Sequence, residues 1–149
     1  MADTKIQKRF VYDGFGFPVV LRNVTMVKVR GAWTPKVNYN KLTREVLLAL
    51  AHKPTRLTGS EVRFIRHQFE MTLTRFGDRF SVSHPAVLKW EDAGDEATAM
   101  KWSVEKDIRL FVLDALDAKD TVLAALYRHL KKEARTTGKP IEMDIVKAA

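Results

Sequence analysis

The sequence predicts a mainly α (α+β) fold, a bundle of about five helices behind a small N-terminal antiparallel β element. Two observations carry this. From residue 59 to about 135, apolar residues recur at three- and four-residue spacing with short breaks. Residues 9–38 instead concentrate aromatic and β-branched residues, interrupted by glycine.

The chain has 149 residues, enough to bury a real core without covalent staples. It contains no cysteine, which excludes disulfides and thiolate zinc sites and fits a reducing cytosol. MADTKIQKRF has no apolar h-region, and no apolar run is long enough to span a bilayer. A cytoplasmic, nucleoid-associated protein with no membrane partner is therefore expected. The formal net charge is +8, and its placement is uneven. Residues 1–56 hold eleven Lys and Arg against Asp3, Asp13 and Glu45, while residues 57–149 are balanced. A polyanionic partner would meet the N-terminal third first.

Three regions are expected: a basic N-terminal β element plus one helix (1–56), a helical domain (57–117), and a C-terminal helix with a loose tail (118–149). In the first, Phe10, Tyr12, Phe15 and Phe17 are strand-favouring aromatics broken by Gly14 and Gly16. The glycines lack the ending of a phosphate-binding loop, so this stretch reads as a turn with aromatic packing. Val19-Val20-Leu21 and then Val24 to Arg30 read as strand, the second with Val24, Met26, Lys28 and Arg30 on one face. Trp33-Thr34-Pro35 starts another extended piece. Leu42, Val46, Leu47, Leu50 and Ala51 have helical spacing over 41–52, with Asn38 or Asn40 as cap and Lys53-Pro54 as stop.

Thr58 and Glu61 form a capping-box pattern that opens the next helix. Helices are expected over 59–69, 73–80, 84–91, 103–116 and about 118–135, with a loose tail over 139–149. Val62, Ile65 and Phe69 make the stripe of the first, and Leu73, Phe76, Gly77 and Phe80 mark the second. Gly77 suits a close approach of two helices. Ser81-Val82-Ser83 is a short turn, Ser83 can cap the next helix, and Pro85 falls in its first turn, where a missing N–H costs nothing. Val87 and Trp90 point to the core, which leaves His84, Pro85, Ala86 and Lys89 outward. In a DNA reader, this N-terminal end of a helix meets base edges. Ala86 suits a thymine methyl, and His84 and Lys89 suit a base or a phosphate. Thr72 caps the preceding helix, whose N–H groups can hold a phosphate.

LTGSEVRFIRHQFEMTLTRFGDRFSVSHPAVLKWED resembles the helix-turn-helix of the lambda Cro/cI (Xre) family over about 35 residues without a gap. The resemblance implies sequence-specific binding of duplex DNA, by a homodimer on a pseudo-palindromic operator and most often as a repressor. It also implies that Arg66 and Glu91 form a structural ion pair between the first helix and the recognition helix. Two positions depart from the family: Leu73 stands where a DNA-touching Gln is usual, and Glu70 where a Gly is usual. The arrangement of β segment, helix and helix-turn-helix is also similar to regulators of the MqsA antitoxin type, whose zinc-binding cysteines are missing here. That implies an alternative in which the N-terminal part binds a toxin or other protein partner.

Other features have plain readings. His52, His67 and His129 read as solvated, and Asp114, Asp117 and Asp120 lack a His or Cys partner, so no metal, cofactor or catalytic set is expected. Lys28, Arg30, Lys36 and Lys41 form a basic cluster, of which Lys28 and Arg30 are taken as phosphate contacts. Trp102 reads as a core contact at a helix start, with a dimer contact as the alternative. The dimer itself is expected through helices 103–116 and 118–135 or through the β element.

Overall fold

The computed structural model describes residues 3–136 and 138–145. The chain forms two compact units, Met1–Val46 with Pro140–Ala149, and Leu47–Lys139. The fold is α+β, with six helices and one small four-stranded sheet among the described residues.

The first unit is built on the sheet. β1 (Thr4–Tyr12) pairs antiparallel with β2 (Val19–Val29), and β2 pairs antiparallel with β3 (Ala32–Pro35). β2 is one strand of eleven residues rather than two pieces. Val19, Val20 and Leu21 are all buried, and beyond exposed Arg22 burial alternates at Val24 and Met26. Asn23 has a φ of +55°, yet the pairing of β1 with β2 keeps one register on both sides of it. β1 starts earlier than the aromatic run suggests, because Thr4-Lys5-Ile6-Gln7-Lys8 is a largely exposed edge strand with little apolar signal. The glycine turn packs aromatics as expected: Tyr12 lies 5.1 Å from Phe15 and Phe15 lies 6.3 Å from Phe17, centroid to centroid.

Two expectations are corrected in this unit. Arg30 does not share a strand face with Lys28, because β2 ends at Val29 and Arg30 enters the turn with φ +50° beside Gly31 at +82°. Nor is 139–149 all loose tail. Ile141–Asp144 form β4, parallel to β2, with Ile141 buried and Arg22 Nη1 donating to Glu142 at 2.8 Å. Residues 146–149 of that expected tail lie outside the described residues.

Helix α1 (Tyr39–Ala51) follows β3, and Asn38 Oδ1 accepts from Lys41 N to cap it. Its expected apolar residues are all buried.

The second unit contains α2 (Gly59–Gln68), α3 (Leu73–Arg79), α4 (His84–Glu91), α5 (Trp102–Ala115) and α6 (Asp120–His129). Its buried side chains include Leu57, Val62, Ile65, Phe76, Val87, Ile108 and Leu113. The Thr58–Glu61 capping box is complete, since each side chain accepts from the other residue's backbone N–H. α2, α3 and α5 all end in the same way. The residue past each cap has a positive φ (Glu70 +54°, Ser81 +60°, Asp117 +55°). The next N–H then reaches back five residues: Met71 to Arg66, Val82 to Gly77 and Ala118 to Leu113. This is the Schellman stop, for which glycine is the usual residue. α6 ends at His129, short of the expected 135. Leu130 O is taken by Trp102 Nε1 at 2.9 Å, and the chain then runs on to bridge Arg135 to Thr55.

Candidate nucleic-acid interface

α3 and α4 are joined by a connection that Gly77 makes possible. A Cβ at Gly77 would stand 2.6 Å from Val82 O, closer than real contacts allow. The turn backbone therefore crosses directly over the helix. Ser81 turns the chain in the left-handed region, and Ser83 Oγ accepts from Ala86 N at 3.3 Å to start α4. Pro85 lies in the first turn, where it removes no helical hydrogen bond.

The orientation of α4 is fixed from both ends. Val87 and Trp90 are buried, and Gly59 lies so close to the end of α4 that an added Cβ would collide with Trp90 O. Arg66 on α2 grips Glu91 with two parallel bonds, Nε to Oε2 at 2.7 Å and Nη2 to Oε1 at 2.9 Å. The same guanidinium donates to Met71 O at 3.0 Å, at the α2–α3 joint. Both side chains are largely buried, so the pair joins helices and is not offered to a ligand.

With its inner face held, α4 presents Ser83, His84, Pro85 and Lys89 to solvent, with Ala86 half-buried. Leu88 belongs to this face too and is 45% exposed. It repeats His84 one turn on, as Lys89 repeats Pro85. Reading the sequence missed Leu88, although its place off the Val87–Trp90 stripe was the available signal. Thr72 is exposed at the start of α3 and its Oγ1 accepts from Arg75 N at 3.1 Å.

Comparison with protein families, curated proteins and solved structures gives no match to this chain.

Lys28 and Arg30 belong to the first unit and are both exposed. Lys28 is on β2 opposite Trp33 of β3, and Arg30 is at the turn between those strands. They are thus neighbours on one hairpin, in a different unit from His84, Ala86 and Lys89. Among the described residues no group of three or more His, Cys, Asp or Glu is placed to hold a metal ion. No helix among them is long and apolar enough to cross a membrane.

The sequence reading also missed a buried charge cluster in the second unit. Glu105, on α5, accepts from Arg56 Nε at 2.8 Å, Arg109 Nη2 at 2.7 Å and Leu57 N at 3.2 Å. Arg109 further donates to the carbonyls of Lys53 and Thr55, and Arg56 to Met100 O and Glu133. Trp102 lies beside both guanidiniums, 5.4 Å from Arg56 and 5.5 Å from Arg109. Trp102 is thereby a core contact. The cluster ties the connector before α2 to α5, and its charges are spent internally.

Proposed function

We propose that this protein is a sequence-specific double-stranded DNA-binding regulator of transcription, with α3 and α4 as an Xre-type helix-turn-helix and α4 as the recognition helix. The observation that carries the reading is the exposed face of α4, held on its inner side by buried Val87 and Trp90 and at its end by the Arg66–Glu91 fork. A helix so fixed offers base-reading groups on a rigid element, and a helix is what the major groove admits. His84 and Lys89 supply polar contacts and Leu88 supplies an apolar surface for a thymine methyl, which the half-buried Ala86 offers less fully. Thr72, Ser83 and Pro85 border the phosphates, and Lys28 and Arg30 add charge.

In this reading the protein acts as a dimer, and most simply as a repressor. A groove of about 440 Å³ lined by Arg79, Asp107, Phe111, Asp114, Tyr127 and Arg128 provides both signs of charge around exposed apolar surface, as a self-pairing contact requires. Two recognition helices would then meet half-sites about 34 Å apart.

The test is selection of bound duplexes from a random pool with the full chain. His84→Ala and Lys89→Ala should each lower affinity for the recovered motif by about 1–3 kcal/mol without unfolding the protein. Unchanged binding in both removes α4 from recognition.

A second reading, an antitoxin or adaptor whose N-terminal part binds a protein, is favoured by one observation. β1 is an edge strand, and Ile6 upon it is 74% exposed. Unpaired edges beside exposed apolar side chains are sites of strand addition. Co-purification of a partner that Ile6→Lys releases would support it.

A further inference from the structure

The β2–β3 hairpin turns through Arg30 and Gly31. Val29 pairs with Ala32, and both central residues have positive φ, +50° and +82°. That is the two-residue turn for which Asn-Gly or Asp-Gly is preferred. Gly31 suits it, whereas Arg30 adopts the left-handed conformation against a steric cost that asparagine largely avoids. Arg30 is exposed at the tip. Strain at a position with no packing role points toward function.

The surroundings of Arg30 give that function a sign. Trp33, opposite Lys28, has Lys28 Nζ at 6.0 Å and Lys5 Nζ at 4.4 Å from its ring. The ring holds the two ammonium groups behind the tip. Residues 3–45 contain nine Lys and Arg against Asp3, Asp13 and Glu45, and Asp3 O accepts from Lys28 N at 3.2 Å. The tip from Val29 to Ala32 extends past the end of β1, which pairs with β2 as far as Val27, and so carries a guanidinium at its end with two ammonium groups behind it.

We infer that Arg30 is a minor-groove reader, with Lys5 and Lys28 on the flanking phosphates of the same duplex; this rests on the DNA-binding reading above. The minor groove is about 6 Å wide, too narrow for a helix but open to one guanidinium. A·T tracts narrow it further and deepen its negative potential, which draws in arginine. Phosphate anchoring alone would not need arginine at a strained tip, since lysine carries the same charge.

The closing experiment uses full-length protein and the duplexes it recovers from a random pool. Arg30→Asn converts the turn to Asn-Gly, so the fold is kept and the melting temperature should stay level or rise. Affinity should fall about tenfold, and a preference for A·T pairs outside the major-groove motif should disappear. Arg30→Lys should keep part of the affinity without restoring that preference. For the native chain, replacing the preferred A·T pairs by I·C, which leaves the minor-groove face unaltered, should preserve binding. Replacement by G·C, which adds the N2 amino group, should weaken it. The inference is overturned if Arg30→Asn binds as tightly as the native chain, if Arg30→Lys behaves identically to it, or if no A·T preference exists. In those cases DNA binding by α4 still stands. If the native chain recovers no duplex, both readings fall.

Discussion

Glu105→Gln should be among the most damaging single substitutions in the second unit. Glu105 is fully buried and Arg109 is 1% exposed. Two carboxylate oxygens accept from Arg56, Arg109 and the Leu57 amide. Glutamine has nearly the same shape, so packing is preserved. It offers one oxygen and one NH2, however, so one side of the cluster must face donor against donor. Arg56 retains Glu133. Arg109 loses the carboxylate it pairs with and keeps only neutral acceptors, the amide oxygen and the carbonyls of Ala51, Lys53 and Thr55, and a guanidinium cannot escape by losing its proton.

Breaking one side of a buried ion pair costs roughly 3–5 kcal/mol. Against a total stability of about 5–15 kcal/mol this is a large fraction. The melting temperature should fall by roughly 6–20 °C. Urea unfolding followed by far-ultraviolet circular dichroism and by tryptophan fluorescence measures it, because Trp102 lies against both arginines. Replacing Arg56, Glu105 and Arg109 together by methionine should be far milder than the single change, since no unpaired charge remains. A loss below about 1 kcal/mol for Glu105→Gln, the range of an exposed ion pair, would refute the reasoning.

Other consequences can be checked on the same material. Gly77→Ala gains helix propensity but drives a Cβ into Val82 O, so a net loss of about 1–3 kcal/mol is expected in denaturant titration. Glu70→Gly should instead stabilise by about 0.5–1 kcal/mol, because it removes a side chain from a left-handed stop; an unchanged urea midpoint would contradict this. Burial, and then the neighbouring Tyr12, hold the Tyr39 phenol above its ordinary value of 10.0. A folded-state pKa raised above the unfolded one stabilises below the unfolded value and loses that contribution as pH rises through the folded value. Stability should thus decline above about pH 10, and Tyr39→Phe should flatten that decline.

The helices were legible because their signals are local. Thr58–Glu61 and Ser83–Pro85 mark starts, and Leu42 to Ala51 keeps one spacing throughout. What the sequence concealed depends on partners distant in the chain. Ile141–Asp144 is too short and too acidic to read as a strand, and becomes one only by pairing with Val19–Arg22. Nothing local to Glu105 and Arg109 announces a buried cluster, which forms only when Arg56, 49 residues before Glu105, meets them. Helix stops were blurred for a third reason: Glu70, Ser81 and Asp117 occupy positions where a glycine would have announced the turn. At the candidate interface, the Arg66–Glu91 contact and the Gly77 crossing follow the expected pattern. Leu88 was missed because an exposed leucine carries no signal in composition.

The uneven charge suggests how the two units divide the work under the proposed reading. The first unit holds ten Lys and Arg against five Asp and Glu, and the second, which carries α4, sixteen against thirteen. Binding that depends on phosphate neutralisation weakens with salt by about 0.9 decades per decade for each contact. Lys5→Gln and Lys28→Gln should then each lower the salt slope by about one and leave the selected motif unchanged. His84→Ala should alter the motif with little effect on the slope, because His84 is placed here on base edges and not on phosphates. A Lys28→Gln variant that changed the motif, or a His84→Ala variant that changed the slope by a full contact, would show that hold and reading are not separated in this way.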